Sequence, residues 1–313
     1  MEWRKLQPNV ALALCGVLGL LLAGSLAVRV LRLIRPGKDF TELGLRVRTW
    51  WVMAGLFVSA LALNNTCALA FFGFVSFLAL KEYLSLIATR RADRRVLFWA
   101  YLAIPLQYYW IGIGWYGMFI AFIPVFVFLA LPMRMVTIGA TEGYLNAIGT
   151  IQWGLMVTVF SLSHIPYLLA LPERGNPVAG GAGLVFYLVF LTQFNDVAQF
   201  CWGKTFGRHK VLPTVSPNKT YEGLIGGIAT TTLLAVVLAP HLTPLLRYEA
   251  FSAGLMIGLG GFLGDAAIAA FKRDLGIKDS GSILPGHGGI LDRVNSLTYT
   301  GPLFFHYVYF LHF

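Results

Sequence analysis

The chain has 313 residues, 57% of them hydrophobic and only 12% charged, with a formal net charge of +10. Soluble domains carry about 25% charged residues, so the composition excludes an ordinary soluble enzyme and fits an integral membrane protein. Cys15, Cys67 and Cys201 stand singly in apolar surroundings without Cys-x-x-Cys spacing. That argues against a zinc or dithiol site and predicts burial.

Uninterrupted apolar runs close to the ~20 residues that cross a bilayer follow one another along the chain. Ten are readable: 10–34, 50–63, 67–87, 96–113, 115–131, 148–171, 178–201, 224–239, 250–271 and 297–313. The second, eighth and last are short. The first exceeds a signal-peptide core and lacks an Ala-x-Ala pattern before its basic flank, so a retained helix is expected. The predicted architecture is all-α and polytopic, with about ten transmembrane helices. It forms one membrane domain over 1–313, with N-terminal helices in 1–171 and motif-bearing helices in 172–313.

With ten spans, alternate loops face the same side. All but four of the 24 Lys and Arg residues then fall on one side, the exceptions being Arg4, Lys5, Arg174 and Arg247. The positive-inside rule puts the basic side in the cytoplasm and both termini outside, which predicts a multi-pass protein of the inner (cytoplasmic) membrane. The positive charge therefore reports orientation and contact with the lipid bilayer, and no nucleic acid is expected.

Three polar constellations interrupt this background. Gln193, Asn195, Asp196 and Gln199 lie within the seventh run. An ionisable group in a span is costly and usually faces a cavity or a partner, so Asp196 is a functional candidate. A helix-packing network is the alternative, evenly weighed for the amides. In the loop 203–227, Gly203-Lys204-Thr205 fails as a P-loop because Ala198 stands where a glycine is needed. Further on, Pro217 could open a helix whose N-terminus, near Ser216 and Lys219, would bind phosphate. A capped helix start with a solvated lysine is the alternative.

The third constellation, 264–295, packs Asp265, Lys272, Arg273, Asp274, Lys278, Asp279, Asp292 and Arg293 around a Pro285-Gly286-His287-Gly288-Gly289 turn. If the loop folds back, Asp265 and Asp292 converge, and one or two carboxylates suffice for magnesium. Lys272, Arg273 and Arg293 would neutralise phosphate oxygens. Surface ion pairing accounts well for Asp274, Lys278 and Asp279. His287 suits phosphate or loop contacts, whereas His164, His209, His241, His306 and His312 form no pair at ligand spacing and read as structural. Gly258, Gly260, Gly261 and Gly264 read as a helix-packing stripe.

These residues resemble the phosphatidate cytidylyltransferases (CDP-diacylglycerol synthases). Their signature runs Ser, two residues, Lys-Arg, four residues, Lys-Asp, then Pro-Gly-His-Gly-Gly, two residues, Asp-Arg, one residue, Asp. Lys272-Arg273, Lys278-Asp279, Pro285 to Gly289 and Asp292-Arg293 stand at matching spacing. Asn195-Asp196 and Ser216-Pro217-x-Lys219-Thr220-x-Glu222-Gly223 look like two further blocks in order. The likeness covers roughly 194–296.

It implies a homodimeric membrane enzyme that joins CTP to phosphatidate, giving CDP-diacylglycerol and pyrophosphate with magnesium and, as a second cation, potassium. By position, Asp265 and Asp292 would bind metal and act in catalysis with Lys272 and Lys219. Asn195, Asp196, Ser216, Lys219, Arg273, His287 and Arg293 would contact substrate. Three positions depart from the pattern: Ile268 replaces an acid, Ala269 the serine and Asn295 the final aspartate. These changes leave room for a CTP-using enzyme acting on another membrane lipid phosphate. A non-catalytic lipid-phosphate binder or transporter on the same scaffold is the reading from a different class.

Overall fold

Inside a bilayer a lone chain segment satisfies its own backbone only as a helix, and the long apolar runs fold accordingly. A computed structural model of the chain describes residues 7–34, 39–87, 94–281 and 288–313. Helices α1 (Pro8–Ile34), α2 (Thr41–Ala62), α3 (Asn65–Leu86) and α4 (Arg94–Gly112) come first. Next is a rod, Tyr116–Val136, made of α5 (Tyr116–Ala121), a π-helical turn (Phe122–Val127) and α6 (Phe128–Val136). Pro124 brings no N–H to that turn, a natural place for the ladder to change register. A second rod, Tyr144–Ala170, joins α7 (Tyr144–Leu155) to α8 (Ser161–Ala170) through another π turn.

The C-terminal half contains α9 (Gly180–Phe206) and a small hairpin of β1 (Lys210–Leu212) and β2 (Ser216–Thr220). It continues with α10 (Tyr221–Leu242), α11 (Arg247–Asp274), the single turn α12 (Leu291–Val294) and α13 (Leu297–His312). Among the described residues, seven helical rods are long and apolar enough to cross a membrane. The expected count of ten is therefore not reached on length and composition. The other three runs fold as α2, α4 and α13. Arg46 and Arg48 dilute α2, Arg94, Arg95 and Gln107 dilute α4, and α13 has only 16 residues.

Burial separates centre from periphery. Of its most apolar stretch, Tyr144–Ala170 buries 72% and α1 only 11%, so the former is a central rod and the latter an outer helix. Helix α8 packs on α3, α9 and α13, and one buried apolar cluster runs from Leu80 and Tyr83 through Leu168 to Leu188 and Phe304. Cys15 and Cys201 lie on exposed faces of α1 and α9, with Cys67 half-buried. Their expected burial fails because those faces turn away from the neighbouring helices.

In the C-terminal half, α9 lies along α10, and α11 packs against both. The glycine stripe of α11 makes this possible. A Cβ at Gly254 would stand 2.6 Å from Thr232 Cα, and one at Gly264 would stand 2.6 Å from the Asn295 carbonyl oxygen. Buried polar side chains staple the helices. Asn195 of α9 donates to the Gly258 carbonyl on α11 and accepts from the Thr231 hydroxyl on α10, both at 3.2 Å. Asn195, assigned above to substrate, is fully buried in this role. Replacing it with leucine should cost about 1 kcal/mol, visible as a lower melting temperature in detergent. An unchanged melting temperature would overturn the staple role.

Candidate functional site

The last turns of α9, the hairpin, the first turn of α10, the C-terminal turns of α11 and α12 surround a cavity of about 560 Å³. Its polar lining includes Asp196, Lys204, Lys210, Ser216, Lys219, Asp265, Asp292, Arg293 and Asn295. Phe200, Leu224 and Phe262 supply an apolar wall. The hairpin places Ser216 and Lys219 there, with Lys210 paired to Thr220 and Leu212 to Ser216 across the two strands. The helix expected to open at Pro217 starts at Tyr221 instead. Thr220 is its N-cap, and its hydroxyl accepts from the Gly223 amide at 3.1 Å, as a threonine cap does. Ser216 and Lys219 thus reach the cavity from a strand.

Each acid of the lining is answered by a different group. Asp265 Oδ2 pairs with Lys219 Nζ at 2.6 Å, while its Oδ1 accepts from the Asn295 side-chain amide. Asn295 Oδ1 in turn accepts from the Ser296 amide at 2.8 Å. Lys219 also lies over the Phe262 ring, 4.8 Å from its centroid, a cation–π contact. Both oxygens of Asp196 accept from the Ser296 hydroxyl, at 2.9 and 3.1 Å.

Asp292 is buried, and its Oδ1 meets Lys272 Nζ at 2.6 Å. Its Oδ2 accepts from the amides of Ser280 (2.9 Å) and Gly289 (3.1 Å). Burial alone would raise the Asp292 carboxyl, but the Lys272 hydrogen bond and charge and the two amides outweigh it. The group sits below the usual carboxylate range and is ionised at neutral pH.

Two buried donors at the cavity, Arg293 Nε and Gln199 Nε2, have no hydrogen-bond partner among the described residues. Burial draws the Arg293 guanidinium below its ordinary range, opposed by the charges of Asp292 and Asp196. It remains a cation at any physiological pH. Lys204 and Lys210 carry no ion pair among the described residues, although Lys204 lies 5.7 Å from the Phe200 ring centroid. A space lined by unsatisfied donors and cations is suited to a ligand rich in phosphate oxygens.

Of the residues singled out from sequence, Asp196, Ser216, Lys219, Asp265, Asp292 and Arg293 all line this cavity. Lys272 joins them through Asp292. Arg273 lies apart from them. It is exposed, and its guanidinium donates to the carbonyls of Val215 and Ile277, each at 3.2 Å. It ties the hairpin to α11 rather than facing the cavity. Asn195 turns away from its neighbour Asp196, into the helix staple described above. His287 lies outside the described residues, as do Pro285 and Gly286.

Sequence reasoning missed Glu82. This residue of α3 is buried and accepts from the amides of Ile290 (2.8 Å) and Leu291 (3.1 Å) and from the Ser280 hydroxyl. The signal was available, because Glu82 is an acid inside an apolar run, the criterion that selected Asp196. Gly288 and Gly289 also find their reason here. Gly288 has φ +79°, and a Cβ on it would approach Asp292 Oδ2 to 2.6 Å. A Cβ on Gly289 would overlap the Glu82 carboxylate.

Among the described residues, no three His, Cys, Asp or Glu side chains gather as a ready metal cage. Magnesium does not require one, since it keeps water and substrate oxygens and takes one or two protein carboxylates. Asp265 and Asp292, both at the cavity and each already facing a lysine ammonium, fit that demand.

Comparison with known proteins identifies the family. Residues 44–311 match the sequence model of the cytidylyltransferase family. An uncharacterized protein of Escherichia coli (strain K12), YnbB, is 44% identical over 296 residues, covering 95% of this chain and 97% of its own. The phosphatidate cytidylyltransferase of Staphylococcus aureus (strain COL) is 38% identical over 124 residues, 39% of this chain and 48% of that protein. That of Staphylococcus epidermidis is 40% identical over 119 residues, 38% and 45% respectively. The chain thus spans about half the length of the phosphatidate cytidylyltransferases it matches. With the family model extending from α2 to the end of α13, this chain belongs to the cytidylyltransferase family.

Proposed function

We propose that the protein condenses CTP with phosphatidate, releasing pyrophosphate and leaving CDP-diacylglycerol in the membrane. The observation that carries the reading is the cavity itself, where Asp265–Lys219 and Asp292–Lys272 pairs, unpaired cations and an apolar wall meet. A lipid phosphate needs all three. The Staphylococcus relatives named phosphatidate cytidylyltransferases lend support over the part of the chain they match.

In this reading a phosphate oxygen of phosphatidate attacks the α-phosphorus of CTP in line. The new P–O bond forms as the bridge to the β-phosphorus breaks, and pyrophosphate carries away the electron pair. Catalysis of such a transfer is mostly positioning and charge neutralisation. Lys204, Lys210 and Lys219 would neutralise the triphosphate, with Ser216 donating from the hairpin. Arg293 and Gln199 would direct their free donors at phosphate oxygens. Asp196, Asp265 and Asp292 would keep the cations in place. Magnesium held by Asp265 and Asp292 would supply charge stabilisation on the transferring phosphoryl oxygens. A second cation such as potassium belongs to the same reading, as does a homodimer.

In this reading the positive-inside distribution would put these basic residues on the cytoplasmic face of the inner membrane, where CTP would arrive from water and phosphatidate through the bilayer. A count of ten spans belongs to this topology. Asn295 favours a second reading, in which the enzyme uses CTP on another membrane lipid phosphate. It donates to Asp265 where the family pattern has an acid, so the centre carries one negative charge fewer.

Purified protein given radiolabelled CTP, magnesium and a panel of lipid phosphates should form labelled CDP-diacylglycerol. Turnover with a different lipid phosphate alone would favour the second reading, and saturable lipid binding without turnover would leave only a binder. The centre itself makes a further prediction. Asp292→Asn should lower kcat at least ~100-fold, because removing one partner of a buried charged pair strands the other. Asn295→Asp should lower the melting temperature in metal-free buffer, since it sets a second carboxylate against Asp265. Added magnesium should then raise the melting temperature of Asn295→Asp more than that of the unaltered protein. Equal gains in both proteins would place the metal elsewhere.

A further inference from the structure

We infer that Glu82, contributed by the N-terminal half of the chain, is a positioning residue for Asp292 and Lys272. The inference rests on the cytidylyl-transfer reading of the site. Glu82 is 6% exposed and has no cation partner among the described residues. A buried carboxylate without a counter-ion is costly unless donors surround it, and here they come from a single loop. The amides of Ile290 and Leu291 and the hydroxyl of Ser280 all point at it.

The pattern of sharing gives Glu82 a role beyond a structural tie. Three consecutive amides are divided between two acids: Gly289 donates to Asp292, and Ile290 and Leu291 donate to Glu82. Ser280 is divided too, its amide going to Asp292 and its hydroxyl to Glu82. Neither carboxylate can shift without disturbing donors that hold the other. Gly281, whose Cβ would stand 3.2 Å from the Glu82 carboxyl carbon, and Gly289 leave the space this needs. Glu82 does not line the cavity, so it acts through Asp292, whose other oxygen holds Lys272. Outer groups of this kind orient the inner ligands and typically change activity or metal affinity by about 10- to 100-fold when removed.

The test uses the full chain in detergent and the isosteric Glu82→Gln variant, which fills the same volume but turns an NH2 group toward donors. Expected is a fall in kcat of about tenfold or more, with the KM for CTP within about twofold and a higher magnesium concentration for half-maximal rate. Residue-resolved hydrogen exchange should quicken at the Ser280 and Gly289 amides, which Asp292 holds and Glu82 does not touch. That second measurement needs no turnover. A wild-type protein that transfers no cytidylyl group would sink the functional reading and leave the positioning inference open to exchange alone. Unchanged kcat, or unchanged exchange at Ser280 and Gly289 in an inactive protein, overturns the inference. So does a loss shared equally by kcat, CTP binding and melting temperature. If Glu82→Gln does not fold, Ser280→Ala, which removes one of the three donors, is read by the same criteria with a smaller expected effect.

Discussion

An ionised carboxylate buried beside a bilayer must be met by donors on every side, and Asp292 meets that demand with one lysine and two backbone amides. Much of the local architecture follows. To offer amides, the chain aims Ser280 and Gly289 at the same oxygen. Beside Gly289, Gly288 sits at positive φ. Once the amides of 289 to 291 are turned inward, those of Ile290 and Leu291 need an acceptor as well, and α3 supplies one in Glu82. Gly288 and Gly289 are thus the places where the chain can bring backbone donors to two acids.

The same economy governs the helices. A chain with 12% charged residues has few groups to spare, and in the C-terminal half neighbouring polar residues divide their tasks. Adjacent positions on an α-helix point about 100° apart. In Asn195-Asp196 the amide staples three helices while the acid faces the cavity. In Lys272-Arg273 the ammonium reaches Asp292 while the guanidinium fastens the hairpin that carries Ser216 and Lys219. Both dipeptides look like paired functional residues when written as sequence. On a helix, one member of each pair builds the wall that the other uses.

This explains how much could be read in advance. The membrane helices were legible because hydropathy alone marks a run that must hide its backbone. Asp265, Asp292 and Lys219 were legible because charge in an apolar chain is conspicuous, and all three line the cavity. The orientation of Arg273 and Asn195 was not legible without a helical phase to show which side faced the cavity. Pro217 suits a helix N-terminus, whereas strand pairing and the Thr220 cap hold it in a hairpin and start α10 at Tyr221. Glu82 carries the same signal as Asp196, an acid in an apolar run, but its partners were hidden by distance, since its donors lie about 200 residues further on and no local pattern links the two segments.

Asn295 shows what the departure from the family pattern does physically. Asp265 has one oxygen on an ammonium and the other on a neutral amide, so its charge is satisfied by protein groups alone. An aspartate at 295 would place two carboxylates together, an arrangement stable only with a cation between them or a shared proton. Asparagine removes that requirement, and its own oxygen is taken up by the Ser296 amide. Ile268, where the pattern has another acid, is buried in the apolar core. Both changes move the site in the same direction, toward fewer anions and greater reliance on Lys219 and Lys272 to balance those that remain. A site so balanced holds its carboxylates in place with protein groups alone, and it leaves Lys204 and Lys210 without an ion pair and Arg293 Nε without a hydrogen-bond partner among the described residues.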